Sequence, residues 1–127
     1  MEDELPSVEA YKEALQIIKG GISLLQMGIL RAQFLAPNHT LTAGQMAKAV
    51  GYREDQFQIV NSQYGRLGTK LREALDYHTG EDELKLWVFS EITGREQASD
   101  HWLLRMREPV VQALEELGWF SEKRGGK

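Results

Sequence analysis

The sequence predicts an α+β protein that is mostly α and has the winged helix-turn-helix arrangement. A short helical pattern ends at Gly51 and is followed by a polar turn and a longer amphipathic helix, which is the layout of a helix-turn-helix. Two segments rich in aromatic and branched residues, 85–92 and 101–106, predict a β-hairpin that would form the wing. A last helical pattern, with proline in its first turn, begins at Glu108 and completes the fold.

Two helices are expected before the helix-turn-helix. Ser7 is a suitable N-cap for a first helix whose apolar residues recur every three to four positions, and the glycines at 20–21 end it. Ser23 is a suitable N-cap for a second helix, which ends before a turn at 37–39. Because apolar residues lie on more than one face of this second helix, we expect it to be the most buried.

The third helix has clear signals at both ends. Thr42 is expected to cap a helix over 43–50, with Gln45 completing a capping box. Gly51 fits the left-handed residue that commonly follows a helix. The turn at 52–57 is longer than in the shortest helix-turn-helix motifs.

The fourth helix is expected over 57–77 and would be the helix that reads DNA. Its apolar positions predict one buried face. These positions are Val60, Tyr64, Leu67, Leu71 and Leu75. Gly65 and Gly68 each lower helix stability by roughly 1 kcal/mol relative to alanine. We therefore expect them to permit close approach of another helix or of a ligand.

The expected hairpin has its loop at 93–100. Arg95 would lie on the tip of this loop, where a wing contacts the DNA backbone or the minor groove. Gly118 ends the last helix, and Trp119 and Phe120 are expected to fold back on the core.

Length and composition are those of one ordinary domain. With 127 residues the chain is expected to form a single domain, 1–127, with disordered ends at 1–6 and 121–127. It contains no cysteine, which excludes disulfides and thiolate metal sites. The acidic start, and the absence of any apolar run of about 18 residues, predict a cytoplasmic protein with no membrane partner.

The net charge of −4 argues against a protein that coats DNA generically, because phosphate contacts dominate such binding. The segment 56–72 nevertheless contains no acid and includes Arg66, Lys70 and Arg72. An acidic protein can bind DNA through one local basic face. The alternative is that these residues are simply solvated helix positions.

No arrangement of residues predicts an enzyme, a cofactor or a metal site. The three histidines, His39, His78 and His101, are scattered without the spacing of an acid–base or metal-binding pair. Residues 81–83 indicate a solvated acidic turn. The segment 65–68 lacks the preceding strand and the lysine-serine/threonine ending of a phosphate loop. We therefore expect a non-catalytic protein.

The residues expected to contact DNA lie on the outer face of the fourth helix and on the wing. Glutamine and asparagine can form two hydrogen bonds with adenine, and arginine can form two with guanine. The predicted contact residues are Gln58, Ser62, Gln63, Arg66, Thr69, Lys70, Arg95, Arg105 and Arg107.

Some of the polar residues have an alternative role. We expect Asn61 to point inward as a hydrogen-bonded core residue rather than to read a base. Arg105 and Arg107 alternate in the second wing strand and would share one face, which suits phosphate contacts. One of them could instead pair with an acid; the candidates are Glu73, Asp76 and Glu108.

Three sequence blocks are more specific than the helix-turn-helix outline. They read TAGQMAKAVGY at 42–52, VNSQYGRLGTKL at 60–71 and HWLLRMREPVVQALEELGWF at 101–120. Together they resemble an accessory domain found beside HNH-type nuclease domains in restriction-like bacterial proteins, over roughly residues 22–120. The resemblance implies an association with DNA or nuclease systems and with phage defence or counter-defence. It does not imply nuclease activity, because the histidine base and metal ligands of an HNH site have no counterpart here.

The sequence thus predicts a non-catalytic winged helix-turn-helix protein that binds double-stranded DNA. Helix-turn-helix proteins often read two half-sites as dimers, so a homodimer is a further expectation. The alternative is a protein-interaction module that keeps the winged fold and binds a nuclease or a defence complex. The acidic net charge and the aromatic residues of the hairpin, Trp87, Phe89 and Trp102, favour that alternative.

Overall fold

The computed structural model describes residues 6–75, 89–97, 99 and 101–120. Within them the fold is α+β and mostly helical, with a small three-stranded antiparallel sheet. In chain order the elements are α1 (Val8–Ile18), α2 (Leu24–Leu35), β1 (Thr40–Leu41), α3 (Ala43–Ala49), α4 (Phe57–Leu75), β2 (Ser90–Arg95), β3 (Trp102–Met106) and α5 (Glu108–Leu117).

Short polar side chains fix where the first helices begin, as the sequence predicts. The Ser7 hydroxyl accepts a hydrogen bond from the Ala10 amide at 3.1 Å and caps α1. Ser23 caps α2 through a complete capping box, and Thr42 caps α3 in the same way. Each such cap is worth about 1 kcal/mol.

Left-handed glycines end two of the helices. Gly51 follows α3 with a φ of +100°, and Gly118 follows α5 with a φ of +73°. The sequence predicts a left-handed cap at Gly51 and the end of the last helix at Gly118. The Gly118 amide donates to the Leu114 carbonyl at 3.0 Å, so a carbonyl of the last turn is satisfied.

The sheet has the order β1-β3-β2. β1 pairs Thr40 with Arg105, and its two residues are too few to produce a strand pattern in the sequence, which does not predict it. β2 continues to Arg95 past an irregularity between Ile92 and Gly94. The predicted loop 93–100 therefore begins too early, because a bulge lets the strand continue through Gly94, whose φ is +151°.

The core lies between α4 and the helices packed around it. α4 buries Val60, Tyr64, Leu67 and Leu71, as predicted, while Leu75 is half-buried. The prediction that α2 is the most buried helix is wrong, because five of its twelve residues are buried, compared with four of seven in α3, and its Leu24 is 94% exposed. α2 packs on α3, α4, β1 and β3.

The C-terminal aromatic residues close the core. Phe120 is buried and packs on Phe34, with 5.5 Å between ring centroids, and Trp119 is half-buried beside it. The expectation that these residues fold back is confirmed. No helix in the described ranges is long and apolar enough to span a membrane.

A buried hydrogen-bond network joins α2, α4 and the sheet. The Tyr64 hydroxyl donates to Gln33 Oε1 at 2.6 Å and also contacts the Ser90 hydroxyl. Gln33 Nε2 donates to Ser90 Oγ at 2.9 Å and to the Leu104 carbonyl at 3.0 Å. Burial raises the pKa of Tyr64 well above its ordinary value, and the hydrogen bonds with Ser90 and Gln33 oppose this shift.

Several predictions of the sequence fall outside the described residues. These concern the termini 1–5 and 121–127, the end of the fourth helix at 76–77, the acidic turn at 81–83, the start of the first wing strand at 85–88, and the side chains of Asp76, His78 and Trp87.

Candidate nucleic-acid interface

The outer face of α4 carries a set of exposed polar side chains. Gln58, Ser62 and Arg66 are exposed, as the helical period predicts. Asn61 is exposed as well, so the expectation that it points into the core is wrong. The buried stripe runs through Val60 and residues three to four positions apart, and Asn61 lies beside that stripe rather than within it.

Two residues predicted to contact DNA hold α4 against the preceding helices instead. Gln63 Oε1 accepts a hydrogen bond from Gln26 Nε2 at 3.1 Å, and Gln26 is buried in α2. Lys70 Nζ donates to the Gly21 carbonyl in the turn between α1 and α2. Both side chains lie on one flank of α4, so we remove them from the DNA-contacting set.

The Thr69 hydroxyl is also hydrogen-bonded within the helix. It donates to the Gly65 carbonyl at 3.1 Å and is half-buried, so it is not an exposed donor. A Cβ atom placed on Gly65 would meet no heavy atom within 4 Å. The expectation of close helix packing is therefore wrong at Gly65.

Gly68, the second glycine of α4, is buried. A glycine of α3 is closely packed as well. A Cβ atom on Gly44 would lie 2.7 Å from Glu54 Cγ and 3.3 Å from His101 Nδ1. Sequence reasoning missed this contact, because Gly44 sits among ordinary helix residues and its neighbours are distant in sequence.

The hairpin presents a stacked pair of side chains at its far end. Arg95 is exposed and pairs with Trp102 across the two strands. The Arg95 guanidinium carbon lies 4.1 Å from the centroid of the Trp102 indole, which remains 49% exposed. Arg95 therefore lies at the end of a strand rather than on the loop tip, and stacking restricts the directions in which it can point.

This end of the hairpin is fixed beside the first residues of α4. The His101 ring packs on Phe57, the first residue of α4, with 4.7 Å between ring centroids. Gln45 Nε2 in α3 donates to Glu96 Oε2 at 3.0 Å. These two contacts hold the end of the hairpin against α3 and the first residue of α4.

The two arginines of the second strand do not share an exposed face. Arg105 Nη2 lies 2.5 Å from Glu91 Oε2, and Arg105 Nε lies 3.0 Å from the same oxygen. Glu91 stands directly opposite Arg105 in the antiparallel register. The alternative that one of the two arginines pairs with an acid is therefore confirmed, with an acid that the sequence did not suggest. β3 ends at Met106, and Arg107 is a half-buried N-cap whose amide donates to the Phe89 carbonyl at 2.8 Å.

Charge is strongly segregated along the chain. Residues 14–72, which include α2, α3 and α4, contain seven lysines or arginines and two acids, Glu54 and Asp55. The rest of the chain contains eight basic and seventeen acidic residues. Asp55 pairs with Arg53 at 3.1 Å. The net charge of −4 thus conceals an excess of five positive charges within the segment 14–72.

Among the described residues, no group of three or more His, Asp or Glu side chains could hold a metal ion. Comparison of the chain with models of known protein families, with curated proteins and with solved structures finds no match.

Proposed function

We propose that this protein is a non-catalytic, cytoplasmic DNA-binding protein with a winged helix-turn-helix fold. The observation that carries the proposal is the order helix, strand, helix, helix, strand, strand from α2 to β3, combined with the sheet order β1-β3-β2. In this arrangement α3 supports α4 and the β2–β3 hairpin stands beside it as a wing. The exposed face of α4 then faces the major groove.

The exposed side chains of α4 have the chemistry of base readout. The amides of Gln58 and Asn61 can each form two hydrogen bonds with adenine, and Arg66 can form two with guanine or contact a phosphate. Ser62 can donate to or accept from either base. Gly65 lies on the same surface and offers no side chain that would hold the DNA away.

The wing contributes a positioned cation. Arg95, stacked on Trp102, would contact the phosphate backbone or the minor groove next to the major groove that α4 enters. The excess of basic residues in the segment 14–72 would supply the long-range attraction. The revised contact set therefore comprises Gln58, Asn61, Ser62, Arg66 and Arg95.

The block resemblance extends this proposal to a biological setting. Accessory domains beside HNH-type nucleases belong to restriction-like proteins, and we therefore propose a role in restriction or in phage defence and counter-defence. The protein would supply DNA binding without cleavage.

One observation favours the second candidate, a protein-interaction module that binds a nuclease or a defence complex. Four of the predicted DNA contacts are bonded within the chain, namely Gln63, Thr69, Lys70 and Arg105. Trp102 presents half of its surface to solvent. Aromatic residues of this kind are enriched in protein interfaces. Phe89 is fully buried, so it cannot contribute to such a surface.

A binding assay with matched charge variants separates the two candidates. Fluorescence anisotropy with a labelled random duplex at low salt is expected to show binding that weakens steeply as salt increases. Arg66→Ala should lower the affinity and reduce the dependence of log K on log salt by about one phosphate contact. Lys12→Ala changes the net charge equally but removes a cation of α1 that is bonded to Glu116, so its affinity should stay near that of the wild type.

Absence of duplex binding at low salt, or equal loss in both variants, would contradict the proposed DNA interface. The second candidate would be favoured if the protein does not bind duplex but does bind a nuclease or a defence complex, and if Trp102→Ala abolishes that protein binding.

A further inference from the structure

The side chain of Gln45 uses its acceptor and its donor atom at the same time. Its Oε1 accepts a hydrogen bond from the Thr42 amide at 2.9 Å, which completes the capping box of α3. Its Nε2 donates to Glu96 Oε2 at 3.0 Å, and Glu96 directly follows the last residue of β2. One amide group therefore joins the start of α3 to the β2–β3 hairpin, and a carboxylate at the same position could only accept.

The Glu96 carboxylate uses both of its oxygens. Its Oε1 accepts a hydrogen bond from the Ser99 hydroxyl at 2.6 Å, and Ser99 Oγ accepts one from the His101 amide at 3.2 Å. The Glu96 amide also donates to the His101 carbonyl at 2.9 Å. Because Glu96 directly follows Arg95, contacts that fix Glu96 also fix the backbone that carries Arg95.

Backbone pairing secures the hairpin to β1 near one end. β1 pairs with Leu104 and Arg105, close to where β3 leads into α5. Arg95 and Trp102 pair at the opposite end of the β2–β3 ladder. Since β1 does not reach that end, the direction in which Arg95 is presented depends on side-chain contacts with the helices.

The contacts at the Arg95 end differ in how strictly they fix direction. The His101 ring packs on Phe57 with 4.7 Å between ring centroids, and a Cβ atom on Gly44 would lie 3.3 Å from His101 Nδ1. Packing of this kind is non-directional, whereas a hydrogen bond weakens steeply as its angle bends. The hydrogen bond from Gln45 is therefore the strictest constraint among these contacts, and because α3 packs on α4 it acts on the angle between the hairpin and α4.

We propose that Gln45 and Glu96 are positioning residues. Their hydrogen bond, the Gln45–Glu96 latch, sets the direction of the hairpin relative to α4 and thereby places Arg95 for its contact with DNA. The latch exists without DNA, whereas the placement of Arg95 for DNA rests on the proposed function. The two parts are therefore tested by separate measurements.

Exchanging the two residues gives a break and a matched rescue. Gln45→Glu keeps the acceptor for the Thr42 amide but sets a carboxylate against the Glu96 carboxylate, so it should open the latch. Adding Glu96→Gln should close it again, because position 96 then donates and position 45 accepts. The double variant has the net charge of the wild type. Glu96→Ala opens the latch from the hairpin side and leaves the cap of α3 untouched.

Pulsed electron paramagnetic resonance without DNA measures the direction of the hairpin. The chain has no cysteine, so Glu73→Cys on α4 and Gln97→Cys on the hairpin, both at exposed positions, can carry two nitroxide labels without a competing thiol. The wild-type latch should give one narrow distance distribution. Gln45→Glu and Glu96→Ala should shift or broaden it, and the double variant should return it to the wild-type form. An unchanged distribution in both single variants, or no return in the double variant, overturns the latch.

Duplex affinity in the same backgrounds, measured without labels, tests the placement of Arg95. With the latch intact, Arg95→Ala should weaken duplex binding by roughly 10-fold, the lower end of the range for a hydrogen bond to a charged group. In the Gln45→Glu background the loss should be less than about 2-fold, and in the double variant it should be roughly 10-fold again. Equal losses in all three backgrounds overturn the positioning role. If the wild type binds no duplex, the proposed function and the placement of Arg95 for DNA both fail, while the distance measurements still establish or refute the latch.

Discussion

Tyr64→Phe removes one oxygen atom from the network that joins α2, α4 and the sheet. In the wild type the Tyr64 hydroxyl donates to Gln33 Oε1 at 2.6 Å and contacts Ser90 Oγ. All three residues are buried. The substitution leaves the ring and its packing in place, so the change in stability measures the hydroxyl alone.

The size of the effect follows from which partner is left unsatisfied. Gln33 Oε1 loses the donor it has in Tyr64. The Ser90 hydroxyl keeps its hydrogen bond from Gln33 Nε2 at 2.9 Å but loses the Tyr64 oxygen to which it donates. Each buried polar group without a partner costs about 1 to 3 kcal/mol, so the two together cost at least about 2 kcal/mol. We therefore expect Tyr64→Phe to lower the free energy of unfolding by about 2 kcal/mol, which for a chain of this size lowers the melting temperature by roughly 5 to 10 °C.

Urea denaturation followed by circular dichroism measures this change. Tyr52→Phe deletes the same atom from a half-buried tyrosine of the α3–α4 turn, and it should change the free energy of unfolding by less than about 0.5 kcal/mol. If the two variants have equal stability, the network does not contribute as described. An altered m-value in Tyr64→Phe would mean that the substitution changed more than the hydroxyl.

Two further predictions concern the same scaffold. Because burial raises the pKa of Tyr64 above its ordinary value of 10.0, the unfolded chain loses this proton at a lower pH than the folded chain. The free energy of unfolding should therefore fall above pH 10 by up to about 1.4 kcal/mol per pH unit. The fall should be shallower in Tyr64→Phe. Parallel curves of unfolding free energy against pH for the two proteins would contradict this. Gly44→Ala should lower the free energy of unfolding by about 1 to 3 kcal/mol, because its Cβ would lie 2.7 Å from Glu54 Cγ and 3.3 Å from His101 Nδ1. Gly65→Ala in α4 should raise the free energy of unfolding by about 0.5 to 1 kcal/mol. Thermal melts in which both variants change the melting temperature in the same direction would refute the packing described.

Most helix boundaries could be predicted from the sequence because they depend on local chemistry. Ser7, Ser23 and Thr42 cap helices through atoms three residues away, and Gly51 and Gly118 end them through their own backbone conformation. Such signals lie within a few residues of the boundary. β1 could not be predicted, because two residues form a strand only when β3 lies beside them.

The candidate site was only partly predictable, because exposure and pairing depend on neighbours distant in sequence. The helical period correctly placed Gln58, Ser62 and Arg66 on the outside of α4. It could not show that Lys70 reaches the Gly21 carbonyl, 49 positions away. Nor could it show that Arg105 faces Glu91, because that pairing depends on the register of the hairpin.

The most direct test of the proposed function is an NMR titration of the protein with duplex DNA at low salt, in which signals are followed residue by residue. Binding through the winged arrangement predicts that the side-chain amide signals of Gln58 and Asn61 shift most, together with the backbone signal of Arg66 and the indole signal of Trp102. The side-chain amide signal of Gln33 should not shift, because this side chain is buried in the network with Tyr64. Shifts that spare the outer face of α4, or a spectrum unchanged by DNA, would contradict the account.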